Sequence, residues 1–345
     1  MTHVAGGVLI IDKEEGMTSA AVVSRVRVLL GEKRVGHTGT LDPFATGVLP
    51  VCFGRATAAA QYMLHWNKRY LCSISLGMST DTMDSTGMTV EQTPETNWRR
   101  FASDDPHIQR ELEAVTCSFI GKRIQEVPIY SAVKVDGKRL YRYAREGSEV
   151  DLPKREITVY DAICRGVSID NETGFPAILV EFLVSAGTYI RVLAEEFGRA
   201  LGCFAHAQRL RRLAAGPLTI ERSITLNSLF ELFNALGRDP KRLRRRIREE
   251  GIVSSLGSVF ADWRTVIFDR ASAIDLTYGR KVSLTAGRLV SPFREFKSQV
   301  VDDELFAFYY GEQLIAIGFI EGEYYRVKRV FLEPADMKSF EGMSS

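Results

Sequence analysis

The sequence predicts an α+β fold: a mixed, mostly antiparallel central sheet flanked by helices, followed by a small all-β module. Three features predict it. Strand-like and helix-like stretches alternate irregularly, without the βαβ repeat that builds a parallel sheet. Three strand-like runs near the C-terminus are separated only by turns at Gly311 and Gly322, the pattern of a β-meander. The 345 residues exceed the usual single-domain size of about 100–200. The break Gly237-Arg238-Asp239-Pro240 gives expected boundaries of 1–240 for the large domain, 241–264 for a linker or insertion, and 265–345 for the small one.

Val8 to Asp12 reads as a short buried strand that ends before Gly16. Thr18 is placed to cap a helix whose apolar residues Val22, Val26, Leu29 and Leu30 form one stripe, and Gly31 supplies the stop. Tyr70 to Leu76 alternates, with Tyr70, Cys72, Ile74 and Leu76 on one face, as a half-buried strand does. Ala177 to Ala186 is a second apolar strand. After Gly187 a helix is expected, with Thr188 as its cap and Ile190, Leu193, Ala194, Phe197 and Leu201 as its inner stripe, closed by Gly202. Leu226 to Leu236 reads as a helix. The basic run Lys241 to Arg248 reads as a solvated helix face. Leu305 to Tyr310, Leu314 to Ile320 and Tyr324 to Leu332 are the meander strands.

With 45% hydrophobic and 26% charged residues, the chain has the composition of a globular protein with a sizeable core. No apolar run reaches the roughly 20 residues of a membrane helix, and the N-terminus lacks a signal-peptide layout, so a cytoplasmic protein is expected. Cys52, Cys72, Cys117, Cys164 and Cys203 are odd in number and widely spaced, which fits reduced thiols. Neither they nor the five histidines have metal-ligand spacing, so no metal is expected. A formal charge of +2 says little about partners, because local clusters decide that question.

The most informative segment is Gly36-His37-Thr38-Gly39-Thr40-Leu41-Asp42-Pro43-Phe44-Ala45-Thr46-Gly47-Val48-Leu49-Pro50. Pro43 forces Asp42 away from helical dihedrals, and the glycines allow close approach of another backbone. From these residues alone, Asp-Pro is also a common turn start. A phosphate loop beginning at Gly31 and Gly36 is a weak reading, because His37 stands where the phosphate-holding Lys would be needed.

The whole segment resembles the catalytic loop of TruB-type pseudouridine synthases, G-H-T-G-T-L-D-P-x-A-x-G-V-L, and matches it at every fixed position. The likeness continues through Gly7-Val8-Leu9, Asp12-Lys13, Lys68 to Gly77, Thr80-Asp81-Thr82-Met83-Asp84-Ser85-Thr86-Gly87, and Pro128 to Lys134. It ends in Gly187-Thr188-Tyr189-Ile190-Arg191 and Leu210-Arg211-Arg212, covering about the first 220 residues. Glu14 stands where many members have proline. Ala58 stands where lysine is usual, which is expected to cost one basic RNA contact.

The resemblance implies a pseudouridine synthase core with a PUA-like C-terminal domain, acting on the T-arm of tRNA as a monomer. It makes Asp42 the nucleophile, Tyr70 the stacking platform that helps remove the C5 proton, and Arg191 the ion-pair partner of Asp42. His37, Tyr189 and Leu210 match residues that line the nucleotide pocket or position RNA. An arginine near a helix N-terminus is itself unfavourable unless an anion compensates, and Asp42 is the expected anion. The implied reaction, isomerisation of uridine to pseudouridine at position 55 in the TΨC loop, needs no redox step or group donor, hence no cofactor.

Between Gly121 and Gly147, Lys122, Arg123, Lys134, Lys138, Arg139, Arg142 and Arg145 are interleaved with Tyr130, Tyr141 and Tyr143, which suits phosphate contact and base stacking. The matching family region grips the T-arm, and this loop is expected to order on RNA. The alternative function is a non-catalytic RNA-binding or tRNA-folding chaperone module, which would need only this loop and the C-terminal unit.

Overall fold

The computed structural model describes residues 6–103, 105–170, 173–290 and 305–333. The chain divides into two compact units, one built from residues 1–42, 47–66 and 215–345, the other from 43–46 and 67–214.

In the second unit, the strands Ala205–Ala215, Lys68–Leu76, Pro176–Val184, Lys154–Ile169 and Gly121–Glu126 lie side by side in that order. Pro176–Val184 is antiparallel to both its neighbours, and Gly121–Glu126 is antiparallel to Lys154–Ile169. The predicted alternation around Tyr70 is present, with Lys68, Tyr70, Cys72 and Ile74 buried, and the strand starts at Lys68. Helices Pro106–Ser118 and Ile190–Ala200 belong to this unit, and Phe119 stacks between Phe197 (centroids 5.5 Å apart) and Phe182 (6.4 Å). Aromatic side chains at such contacts supply the largest apolar burial per residue. The basic segment after Gly121 consists of a strand, a small hairpin of Lys134–Val135 with Lys138–Arg139, and the helix Leu140–Glu146.

In the first unit, Gly6–Lys13 pairs antiparallel with Thr46–Gly54, parallel with Ile224–Thr225 and antiparallel with Val253–Ser254. The helix Ser19–Leu30 has the predicted ends. Thr18 Oγ1 accepts the Ala21 N–H at 3.1 Å, and Gly31 is left-handed at φ 55°. The segment from 241, expected as a linker, is instead mostly the helix Pro240–Glu249, capped by Asp239, with Leu243 and Ile247 buried. Its basic run is partly structural. Arg244 donates to the Leu30 carbonyl, one of the orphan acceptors at that helix end, and Arg248 donates to the Gly6 carbonyl at 3.2 Å. Arg245 and Arg246 face solvent beside Glu249 and Glu250. Two of the run's arginines therefore staple the helix down, and the predicted solvated face holds for the others.

The C-terminal part forms a six-stranded sheet in the order Val282–Ser283, Tyr324–Val330, Gln313–Glu321, Phe306–Tyr310, Thr265–Phe268, Gly287–Val290. The last three strands in sequence form the predicted antiparallel meander. One strand that the pattern did not reveal, Thr265–Phe268, runs parallel to Phe306–Tyr310, and the helix Arg270–Thr277 and the short 3-10 helix Leu284–Ala286 interrupt an otherwise β module. The expected module extends to 345, and its residues 291–304 and 334–345 lie outside the described ones.

This sheet has its own core around Val266, Phe268, Phe308, Ile315 and Tyr325. A second core is shared: Leu305, Ala307, Tyr309, Ile317 and Phe331 pack in one cluster with Val8, Ile10, Met63, Trp66, Phe260 and Trp263. The N-terminal strand and the C-terminal sheet are thus parts of one hydrophobic body. No helix among the described residues is long and apolar enough to cross a membrane.

Gly216 shows how closely the shared core is packed. It is left-handed at φ 56°, and an added Cβ would stand 2.6 Å from the Trp66 ring. Gly216→Ala should combine backbone strain with overpacking and cost about 2–4 kcal/mol. Urea denaturation of the two proteins measures this, and a loss below about 1 kcal/mol would show that Trp66 relaxes freely.

Candidate active site

The chain passes from the first unit to the second between Asp42 and Pro43. On the first-unit side, Ser19 grips Leu41 from both directions. Its hydroxyl accepts the Leu41 N–H at 2.9 Å and donates to the Leu41 carbonyl at 3.0 Å. Both residues are buried, so the loop is fixed one residue before Asp42, which itself is half-exposed. His37 Nδ1 accepts the Gly39 N–H at 3.3 Å, and the Thr38 N–H donates to the Pro50 carbonyl at 3.1 Å. On the second-unit side, the Thr46 hydroxyl donates to the Leu210 carbonyl at 3.5 Å, and Arg211 reaches the same hydroxyl at 3.4 Å. The loop that carries Asp42 is therefore anchored at both ends by side chain–backbone bonds, as a rigidly presented carboxylate requires.

Tyr70, Tyr189, Arg191 and Leu210 all belong to the second unit, whereas His37 and Asp42 belong to the first. Tyr70 is buried on its strand with its phenol oxygen 3.5 Å from Arg212 Nη1, and Leu210 is buried on the strand next to it. Lys68, two residues before Tyr70 on the same face, is buried. Burial first, and the Arg212 guanidinium second, push its ammonium pKa down to about 7.

Arg191 is 3% exposed, and its guanidinium is met by acceptors from two loops. It donates to the Thr82 carbonyl at 2.6 Å and the Tyr130 carbonyl at 3.0 Å, and lies 3.4 Å from the Asp84 carboxylate. Asp84 is 4% exposed. Its Oδ1 accepts three bonds, from the Thr82 hydroxyl at 2.8 Å, the Thr86 N–H at 3.0 Å and the Thr86 hydroxyl at 2.6 Å, which leaves Oδ2 toward Arg191. The turn that arranges this bends through Met83 at φ 61°, a left-handed conformation that costs a non-glycine residue about 1–2 kcal/mol. Its Met83 carbonyl accepts the Ala207 N–H at 3.0 Å.

The helix Ile190–Ala200 starts one residue later than expected. Its cap position is Tyr189, and the Thr188 hydroxyl donates instead to the Ser185 carbonyl at 2.9 Å. Thr188 thus stands one residue outside the cap position, with its hydroxyl turned toward the preceding strand end. The Arg155 guanidinium lies 5.5 Å from the Tyr189 ring centroid. Asp84, Arg212, Lys68 and Gln125 neighbour the candidate residues in the structure and were given no role of their own by the sequence. Asp84 was visible only as one letter of the Thr80–Gly87 motif.

Model matches to known families account for this arrangement. Residues 27–190 match the TruB family pseudouridylate synthase N-terminal domain, and residues 191–249 match the tRNA pseudouridylate synthase B C-terminal domain. A tRNA pseudouridine synthase B from Syntrophobacter fumaroxidans is 44% identical over 227 residues, 65% of this chain and 69% of that protein. The chain belongs to the TruB family. A second TruB-family relative, tRNA pseudouridine synthase B from Geobacter sulfurreducens, is 43% identical over 229 residues, 66% of this chain and 70% of that one. Among solved structures, a Cbf5-Nop10-Gar1 complex matches over 97% of this chain and 88% of that one with TM-score 0.67 and 25% identity. An archaeal box H/ACA sRNP Nop10-Cbf5 complex matches over 97% and 89% with TM-score 0.64 and 22% identity, a likeness of fold. The TruB-type core and the PUA-like C-terminal domain expected from the sequence agree with these neighbours.

The buried Lys68 gives the site a pH signature. Its folded-state pKa lies below the unfolded value, so the cost of burying the ammonium is complete below about pH 7 and is relieved as pH rises toward the unfolded pKa of about 10.4. The stability of the intact protein relative to Lys68→Met should therefore rise across that window, by at most about 1.4 kcal/mol per pH unit. Paired urea titrations near pH 6.5, below the window, and near pH 9, well inside it, measure it, and a difference that is flat with pH would rule out a depressed lysine.

Proposed function

We propose that this protein isomerises uridine to pseudouridine at position 55 in the TΨC loop of tRNA, with Asp42 as nucleophile. The observation that carries the reading is the complete Gly36–Pro50 catalytic motif, with its loop anchored by Ser19 and Thr46 and its half-exposed aspartate between the anchors. Membership of a family whose curated relatives are tRNA pseudouridine synthases supplies the reaction and the substrate.

The isomerisation conserves atoms. The C1′–N1 bond breaks, the uracil turns, a C1′–C5 bond forms, C5 loses a proton and N1 gains one. Asp42 starts it by attack at C1′ or addition at C6, a nucleophilic role open to an ionised carboxylate. Arg191, in this reading, is the cation that Asp42 meets, already oriented by Asp84 and two carbonyls. Tyr70 stacks on the flipped base and assists loss of the C5 proton, and His37, Tyr189 and Leu210 line the nucleotide. Extracting the base from the stack costs a few kcal/mol, which aromatic contact partly returns. No cofactor or metal enters this scheme. The protein acts on tRNA as a monomer in the cytoplasm, without the partners named in the Cbf5 complexes.

The basic segment 121–147 grips the T-arm, and the C-terminal sheet adds a secondary RNA contact. On that sheet the exposed Lys281 ammonium lies 4.2 Å from the Tyr324 ring centroid, a cation and an aromatic face side by side. Because the sheet shares its core with Trp66 and Phe260, deleting it would uncover that core, so surface variants test its role better. Lys281→Ala with Tyr324→Ala should weaken tRNA binding several-fold and lower the salt slope of log K by about 1. Unchanged affinity and slope would remove the sheet from the RNA contact.

The primary test is pseudouridine formation in an unmodified tRNA transcript by the intact protein and by Asp42→Asn. The variant should keep RNA binding and lose activity by at least about a thousandfold. Equal activity would sink the nucleophile. Inactivity of both with good RNA binding would favour an RNA-binding or chaperone module.

A further inference from the structure

Tyr189 occupies the cap position of the Ile190–Ala200 helix in an extended conformation and receives no side-chain cap from the residues beside it. Its backbone is held instead from 64 positions away. The Tyr189 N–H donates to Gln125 Oε1 at 2.8 Å, and Gln125 Nε2 donates to the Tyr189 carbonyl at 3.0 Å. A side-chain amide thus imitates one rung of a sheet ladder. Gln125 is 1% exposed, and its amide oxygen and nitrogen both bond to Tyr189. For packing alone, an apolar side chain of that size would serve better, since a buried amide is tolerated only where its bonds are made.

Gln125 lies on Gly121–Glu126, the root of the basic segment, and its sheet neighbour is Arg155. Arg155 donates to the Gly187 carbonyl at 3.3 Å and lies beside the Tyr189 ring. Five residues after Gln125, the Tyr130 carbonyl accepts from Arg191. The root of the arm therefore holds both ends of the Tyr189–Arg191 turn, through Gln125 at one and Tyr130 at the other.

We propose that Gln125 is a positioning residue for Arg191, acting through the Tyr189 backbone, so that RNA held by the basic arm is registered against the catalytic arginine. This rests on the reading of Arg191 and Tyr189 as part of the uridine site. The arm's cations, Lys134, Lys138, Arg139, Arg142 and Arg145, lie beyond the junction, and a change at Gln125 removes none of them. Its loss should therefore appear in the chemical step and not in RNA affinity.

The experiment compares single-turnover pseudouridine formation and tRNA affinity for the intact protein, Asp42→Asn, Gln125→Met and Gln125→Glu. Gln125→Met keeps the shape and removes both bonds. Its rate should fall at least about tenfold while the tRNA Kd changes by less than about threefold, because a small misplacement of a positioned group is costly. Gln125→Glu supplies a second readout that a purely structural role would not give. A protonated carboxyl reproduces both bonds, donating to the Tyr189 carbonyl and accepting its N–H, whereas a carboxylate repels that carbonyl. Its rate relative to the intact protein should recover as pH is lowered from about 8 to about 5.5, at unchanged tRNA affinity. The charged groups around this junction, Arg155, Arg191, Asp84 and the pair Arg123–Glu196, are the same in both proteins, so their own titration cancels in the ratio; on the new carboxyl, burial favours the neutral acid and Arg155 opposes it. Gln125→Met within twofold of the intact rate, or a Gln125→Glu ratio flat with pH, would overturn the proposal. Asp42→Asn keeps the two levels apart: if it is inactive while both Gln125 variants behave like the intact protein, only the positioning role fails.

Discussion

A guanidinium buried at position 191 sets conditions that much of the second unit then meets. Removing such a charge from water costs several kcal/mol unless an anion and enough acceptors replace the solvent. Asp84 supplies the anion, and the carbonyls of Thr82 and Tyr130 supply acceptors. Meeting that demand explains the left-handed Met83, the two threonines that hold Asp84, and the tie from the Met83 carbonyl to Ala207. A local strain of order 1 kcal/mol at Met83 is small beside the cost of an uncompensated arginine. The turn is therefore shaped by the charge it serves.

The same accounting separates the two basic regions. In the Pro240–Glu249 helix, Arg244 and Arg248 are spent on backbone carbonyls of the first unit, and the solvent-facing arginines sit beside glutamates four residues on. That is the signature of a helix whose charges hold it in place and keep it soluble. In the 134–147 segment, by contrast, Tyr141 and Tyr143 lie near the cations Arg145 and Lys138, which presents aromatic faces and positive charge together. Net charge alone would not have told these regions apart.

What was legible in the sequence was mostly local. Thr18 and Gly31 announced a helix because a cap bond and a left-handed stop involve only neighbouring residues. The alternation around Tyr70 reported a strand with one buried face, and the long motif around Asp42 reported the family. What escaped depended on partners distant in sequence. Asp84 is one letter of its motif until Arg191 arrives from 107 positions later, and Gln125 is an unremarked member of the basic segment until Tyr189 meets it. Thr188 misled because a threonine before a helix has two backbone directions to choose from, and here it bonds to Ser185. The break Gly237-Arg238-Asp239-Pro240 suggested a linker after 240, yet Asp239 caps a helix there, and its two apolar residues, Leu243 and Ile247, are buried while Arg244 and Arg248 fasten it.

The two units also differ in how the chain assembles them. Apart from Pro43–Thr46, the second is one continuous stretch from Asn67 to Ala214, so its partners are all present once that stretch has left the ribosome. The first is discontinuous: Val8, Ile10 and Trp66 share a core with Phe260, Ile317 and Phe331, which are made after the second unit. The strand Gly6–Lys13 must wait until the second unit and the C-terminal sheet have been made before that core closes, and domains fold as units when their sequence is complete. In that interval the apolar face of Gly6–Lys13 has Val48, Cys52 and Trp66 against it but lacks the cover that Phe260, Ile317 and Phe331 later supply.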